Sequence, residues 1–166
     1  MPASSAPTAR ARLRRLGRGI VRGLRLPPRE LVTTAHVVGV LIVVELLIRW
    51  VPLPRLAASL GVRVNLGPAR PGAERLPGEL LSARARRELR CTRRVADVWP
   101  LSKGPCLRRS LVAGHLLRRH DPAVRLGVAG TGDEVFAHAW LEIDDRPLEN
   151  VDGFGVFQHA SARTTA

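Results

Sequence analysis

The sequence predicts an α+β fold in which N-terminal helices precede a helix packed on a small antiparallel sheet. Three observations predict it. Apolar residues recur at helical spacing through most of the first 120 positions. From Ala123 onward the pattern changes to strand-length apolar runs broken by TGDE and DDRP. The chain has 166 residues and is 45% hydrophobic, enough for one domain with a real core.

The elements follow in order. Residues 1–9 are mostly Ala, Ser, Pro and Thr and are expected to be disordered. In ARLRRLGRGIVRGLRL, Leu13, Leu16, Ile20 and Leu24 keep a helical period with arginine on the other face. Gly17, Gly19 and Gly23 weaken that helix, so it would form only on a surface such as a membrane interface. Pro27-Pro28 ends it, and residues 1–28 read as a basic arm. Glu30 to Pro52 is the most hydrophobic stretch and has the roughly 20 residues a membrane span needs. Glu45 lies deep within it, and a lone carboxylate is expensive in lipid. A helix of the protein itself, with Glu45 on a polar seam, is therefore preferred to a span.

PLPRLAASLGV reads as a short helix stopped by Gly61. The Pro/Gly-rich residues 63–78 read as a loop or linker, closing an N-terminal region over 29–78. A core over 79–158 and a disordered tail over 159–166 complete the organisation. Within the core a helix is expected from about Glu79 to Val98, with Leu80, Leu81, Leu89, Val95 and Val98 on its buried stripe. LSKGP is a turn. From Cys106, the residues Leu107, Leu111, Gly114 and Leu117 mark the next helix, which His120-Asp121-Pro122 stops. Two strands and the start of a third follow. On the second strand Phe136, His138, Trp140 and Glu142 share a face.

Charge and cysteine content narrow the function classes. There are 27 Lys and Arg against 14 Asp and Glu, a net charge of +13, and Lys103 is the only lysine. Arg10, Arg12, Arg14, Arg15, Arg18, Arg22, Arg25 and Arg29 face Glu30 alone, so residues 1–30 carry +7 of it. Such an arm is first a solvated tail and second a means of peripheral contact with a membrane surface. No RNP, zinc-finger or helix-turn-helix pattern supports specific nucleic-acid binding. Cys91 and Cys106 form no disulfide framework, and no Cys/His cluster has zinc-ligand spacing. Reduced thiols in a cytoplasm, with neither metal nor cofactor, are the expectation. No clean signal peptide is legible at the N-terminus.

Cys106 follows Gly104-Pro105 and opens a helix. A free thiol has a pKa of about 8.5, and a helix N-terminus and an adjacent imidazolium both favour the nucleophilic thiolate. The free backbone N–H groups of the first turn also suit an oxyanion. Of the five histidines, His36 lies in the apolar segment, His120 in a turn and His159 in the tail. His115 is nine residues along the helix from Cys106, too far to reach back. His138, on a strand that can pack against the helix start, is the candidate base. A third group should accept the second imidazole N–H. Glu149, Asn150 and Asp152 follow the DDRP turn, with Asn150 placed on the neighbouring strand. The order of cysteine at a helix start, histidine on the following hairpin and Asn or Asp after it fits the core shared by transglutaminase-like and papain-like cysteine enzymes.

The chain resembles the leader peptidases of lasso-peptide biosynthesis, which are transglutaminase-like cysteine proteases. The matching residues are CLRRSL (Cys106–Leu111), LLRR (Leu116–Arg119), Pro122, Gly127, Val128 and FAHAWLEIDDRPL (Phe136–Leu148), with ELLIRWVPLPRLAASLGV upstream. The resemblance covers roughly residues 30–158 and implies removal of the leader from a ribosomally made precursor peptide. By motif, Cys106 would be the nucleophile and His138 the base. The family usually has Asp where this chain has Asn150, which leaves the third role between Asn150 and Asp152. Asp145 stands where family members often have Gly. The implied partners are the precursor's leader region, a separate leader-binding protein and an asparagine-synthetase-like cyclase. Two rival functions are acyl transfer to an amine, as in transglutaminases, and a membrane-associated scaffold with an inert Cys106.

Overall fold

The computed structural model describes residues 27–66, 74–99, 105–131, 134–151 and 155–156. The basic arm over 1–26 and the 159–166 tail lie outside the described residues. Helix α1 spans Pro28–Leu47, and the fixed φ of Pro28 suits the first helical turn. Its inner stripe, Val37, Leu41 and Val44, is buried. Glu45 is buried beside them, and both oxygens of its carboxylate accept from Arg108. This is the polar seam the sequence called for. A short helix α2, Leu53–Ser59, follows and ends at Gly61, which takes φ 71°. A left-handed residue costs glycine little and other residues about 1–2 kcal/mol.

Two local expectations are corrected. Residues 63–65, expected in a loop, are strand β1 (Arg63–Asn65), parallel to β2 in the register Arg63 to Ala123. The helix expected from Glu79 begins later. A 3-10 turn at Gly78–Leu80 precedes α3, Ala83–Val98. Ser82 caps α3 by accepting from the Ala85 N–H at 3.1 Å. Leu80 therefore lies outside the helix and is 67% exposed, whereas Leu81 and Val95 are buried.

Helix α4, Cys106–Leu116, begins at the cysteine, as its period requires. Strands β2 (Ala123–Thr131) and β3 (Glu134–Ile143) form the antiparallel hairpin, with Gly127 opposite His138. The turn to β4 (Arg146–Pro147) puts Asp144 and Asp145 at φ 52° and 57°. Positive φ at both central residues is what a tight two-residue hairpin turn demands. Strand β5 (Gly155–Val156) pairs antiparallel with Gly127 and Val128 on the edge of β2 that β1 also occupies. The sheet is thus mixed, in the order β1-β2-β3-β4.

One core joins these pieces. Val37, Leu41 and Val44 meet Leu56 and Val62 from the N-terminal region and Leu111, Val124 and Leu141 from the C-terminal half. Helix α4 lies close to the sheet because Gly114 has no side chain. A Cβ there would stand 2.7 Å from Val62 Cγ2 and 3.2 Å from Leu141 Cδ1.

Candidate active site

Cys106 is the first residue of α4, half-buried and unoxidised, whereas Cys91 is fully buried in α3. The first turn of a helix leaves its leading N–H groups without intrahelical acceptors, and they carry the positive end of the peptide dipoles. This turn is clamped by its next residues. Arg108 holds Glu45 of α1, and Arg109 donates to Glu149 at 2.6 Å. The Ser110 hydroxyl donates to the Ala139 carbonyl at 3.1 Å.

The last contact explains how helix and sheet meet. Carbonyls of alternate strand residues point to the same edge. On the outer edge of β3, the Leu141 carbonyl accepts from the Leu148 N–H. The next carbonyl on that edge is Ala139, and there β4 has ended. The start of α4 takes its place. Cys106 lies three and four residues before Arg109 and Ser110, spacings that share a helix face. The turn bearing Cys106 is therefore anchored to the β3 edge beside His138.

His138 is half-buried on β3. Its ring stacks on Trp140, with centroids 6.2 Å apart and planes 22° from parallel. Its Nε2 stands 3.6 Å from the Glu149 carboxylate, whose other oxygen takes Arg109. Both Glu149 and His138 are 22% exposed. Arg109, Glu149 and His138 thus form a continuous polar chain from the cysteine helix to the strand.

Trp140 is fixed in turn. Its indole N–H donates to Glu142 at 2.9 Å, and Arg125 Nε lies 2.8 Å from both oxygens of that carboxylate. Arg125 faces Trp140 across the hairpin. Only 2% of Arg125 and 4% of Glu142 are exposed, so the platform under His138 is buried and held by an ion pair.

The remaining expected residues fall as follows. Asn150 is exposed and follows a bend, because β4 stops at Pro147; it is not on a neighbouring strand. Asp152 lies outside the described residues. So does most of the Trp99–Lys103 turn. Trp99 itself is described, and its indole N–H is buried without an acceptor among the described residues. His115 meets the Leu60 carbonyl at 3.0 Å, a structural role. Among the described residues no His, Cys, Asp and Glu group could hold a metal ion. The sequence reading named Glu149 only as one of three neighbours and missed Arg109 altogether. A pair 40 residues apart leaves no local signal.

A half-buried cysteine opening a helix, with a histidine on the adjoining sheet and a carboxylate beside it, is the arrangement of side chains that thiol enzymes use. The model of the transglutaminase-like superfamily matches residues 40–161, more than half of the chain, and the chain belongs to that superfamily. The superfamily includes cysteine peptidases and transglutaminases. The chain matches none of the curated proteins and none of the solved structures with which it was compared.

Proposed function

We propose that this protein is a cysteine peptidase that removes the leader from a lasso-peptide precursor, with Cys106 as nucleophile and His138 as base. The observation that carries the reading is the Arg109–Glu149–His138 chain, which ties the base to the helix that Cys106 opens. Superfamily membership and the FAHAWLEIDDRPL motif support it.

The chemistry follows from the geometry. With Nε2 turned toward the Glu149 carboxylate at 3.6 Å, the neutral imidazole would carry its proton there and present Nδ1 as its basic nitrogen. That nitrogen takes the thiol proton, and the thiolate attacks the scissile carbonyl. The N–H groups at the start of α4 stabilise the oxyanion. The imidazolium returns its proton to the departing amine, leaving a thioester on Cys106. Water, deprotonated by His138, hydrolyses it and restores the thiol. We assign the orienting role to Glu149 on its contact with His138; Asn150 and Asp152 are the alternatives that the resemblance brings. A separate leader-binding protein would deliver the precursor, and a cyclase would act on the released core.

The test is leader cleavage followed by mass spectrometry, with candidate precursor and leader-binding protein present. Cys106→Ala and His138→Ala should abolish cleavage. Glu149→Gln should slow it by about 10²–10⁴-fold, because the base loses the carboxylate that orients it. Cleavage by Cys106→Ala would refute the assignment. Transfer of the acyl group to an added amine, with little hydrolysis, would move the protein to the transferases. If Cys106 alkylates no faster than free cysteine, and no acyl chemistry appears, the scaffold reading takes over.

A further inference from the structure

Helix α1 is apolar on both sides, yet only its inner stripe is covered. Val32, Val43, Leu46 and Trp50 are 71%, 47%, 64% and 85% exposed. Val32 and Val43 are three helical turns apart, Leu46 continues the line three residues on, and Trp50 stands in the turn just past the helix end. Leu31, Ile42 and Leu47 flank it, all at least 37% exposed. Ala35 and Gly39 fill the middle, with the imidazole of His36, also exposed, as a polar group on the same line. The strip runs the length of a 20-residue helix, about 30 Å. Soluble monomers rarely leave so long an apolar face uncovered.

The helix is long and apolar enough to cross a membrane by length and composition. Its inner face argues against crossing. To span, it would have to pull Val37, Leu41 and Val44 out of the core and strip Glu45 from Arg108. A helix attached on one face and apolar on the other can instead lie along a surface.

Charge selects the occupant. No charged residue interrupts the outer strip between Arg29 and Arg49, and these two arginines mark its ends. Arg29, Arg84 and Arg87, together with Val32 and His36, line an open groove at the N-terminal end, where Glu88 pairs with Arg84 and leaves Arg29 and Arg87 as the excess charge. The sequence just before α1 adds seven more arginines, Arg10 to Arg25. Trp50, beside Arg49, is the residue type that settles at the boundary between headgroups and acyl chains. A second copy of the chain would bring its own +13 against the same arginines.

We propose that the outer face of α1 seats the protein on an anionic lipid surface as a monotopic, interfacial helix, with the arginines at headgroup level. The inference does not depend on the catalytic assignment.

The full-length protein should float with vesicles of equal parts phosphatidylglycerol and phosphatidylcholine, and not with phosphatidylcholine alone. Trp50 emission should shift to the blue on binding, and lipids brominated in the acyl chain should quench it. The triple variant Val43→Ser/Leu46→Ser/Trp50→Ser changes only exposed positions; circular dichroism checks its fold. Its partitioning should fall by more than about tenfold. Three results would overturn the proposal. One is no flotation even at low ionic strength. Another is flotation unchanged in the triple variant, which would leave electrostatics alone responsible. The third is a concentration-dependent dimer that the triple variant dissolves, which would give the face to a second copy.

Discussion

Removing the Glu142 carboxylate should be among the most damaging single changes to this protein. Arg125 is 2% exposed, its Nε bonds to both Glu142 oxygens at 2.8 Å, and the Trp140 indole donates to one of them at 2.9 Å. Glu142→Ala takes from a buried guanidinium the carboxylate that its Nε bonds, and breaking such a pair costs about 3–5 kcal/mol. It also orphans the Trp140 N–H, a further loss of about 1–3 kcal/mol. The two terms share one carboxylate and are not additive, so about 4–6 kcal/mol is expected. Domains have about 5–15 kcal/mol in all, so the variant should be marginal. Glu142→Gln keeps an acceptor for Trp140 and should lose about half as much. Arg125→Met/Glu142→Leu removes both charges and should recover most of the loss, short of the cost of the stranded indole. The assay is urea unfolding, read as a change in midpoint at constant slope. A midpoint for Glu142→Ala within about 1 kcal/mol of the parent would refute the reasoning, because it would mean that the guanidinium is satisfied without Glu142. The loss should also reach the site. Trp140 is the surface on which the His138 ring stacks, so in Glu142→Gln cleavage should fall even where the protein remains folded.

Gly114→Ala should destabilise the fold by about 1–3 kcal/mol in the same urea assay, because the new methyl would overlap Val62 at 2.7 Å. Val62→Ala should rescue it in part, and a double variant no better than Gly114→Ala would show that the clash lies elsewhere. Ser82→Ala should cost about 1 kcal/mol by removing the cap on α3, while Ser82→Asp should cost almost nothing.

The elements with a strong local signal were legible. Cys106 opens α4 because Pro105 cannot donate and the apolar period starts there. The β2–β3 hairpin shows in its alternation, and Gly61 in its position after a short apolar helix. What depended on distant partners was not legible. Strand β1 has three residues, too few for any period, and is a strand only because β2 offers an edge to it. The alternation placed His138, Trp140 and Glu142 on one face, but Arg125 joined them only once the register set it opposite Trp140. Ser82 was a helix-start signal in plain view, and giving it weight would have moved the start of α3 past Leu80.

The third site residue shows most clearly where spacing and geometry part. Counting from His138 favours Asn150, which requires β4 to continue as a paired strand. Here the tight Asp144–Asp145 turn returns the chain for only two residues before the bend. The Leu148 N–H makes one further bond to Leu141, and Glu149 comes next. With β4 gone, the β3 edge is open to α4, and Arg109 can reach the carboxylate that stands beside His138. The short strand therefore does two things at once. It admits the cysteine helix to the sheet edge, and it places the Glu149 carboxylate beside His138. Extending β4 would close the edge against α4, so the early end of that strand is part of the site's construction.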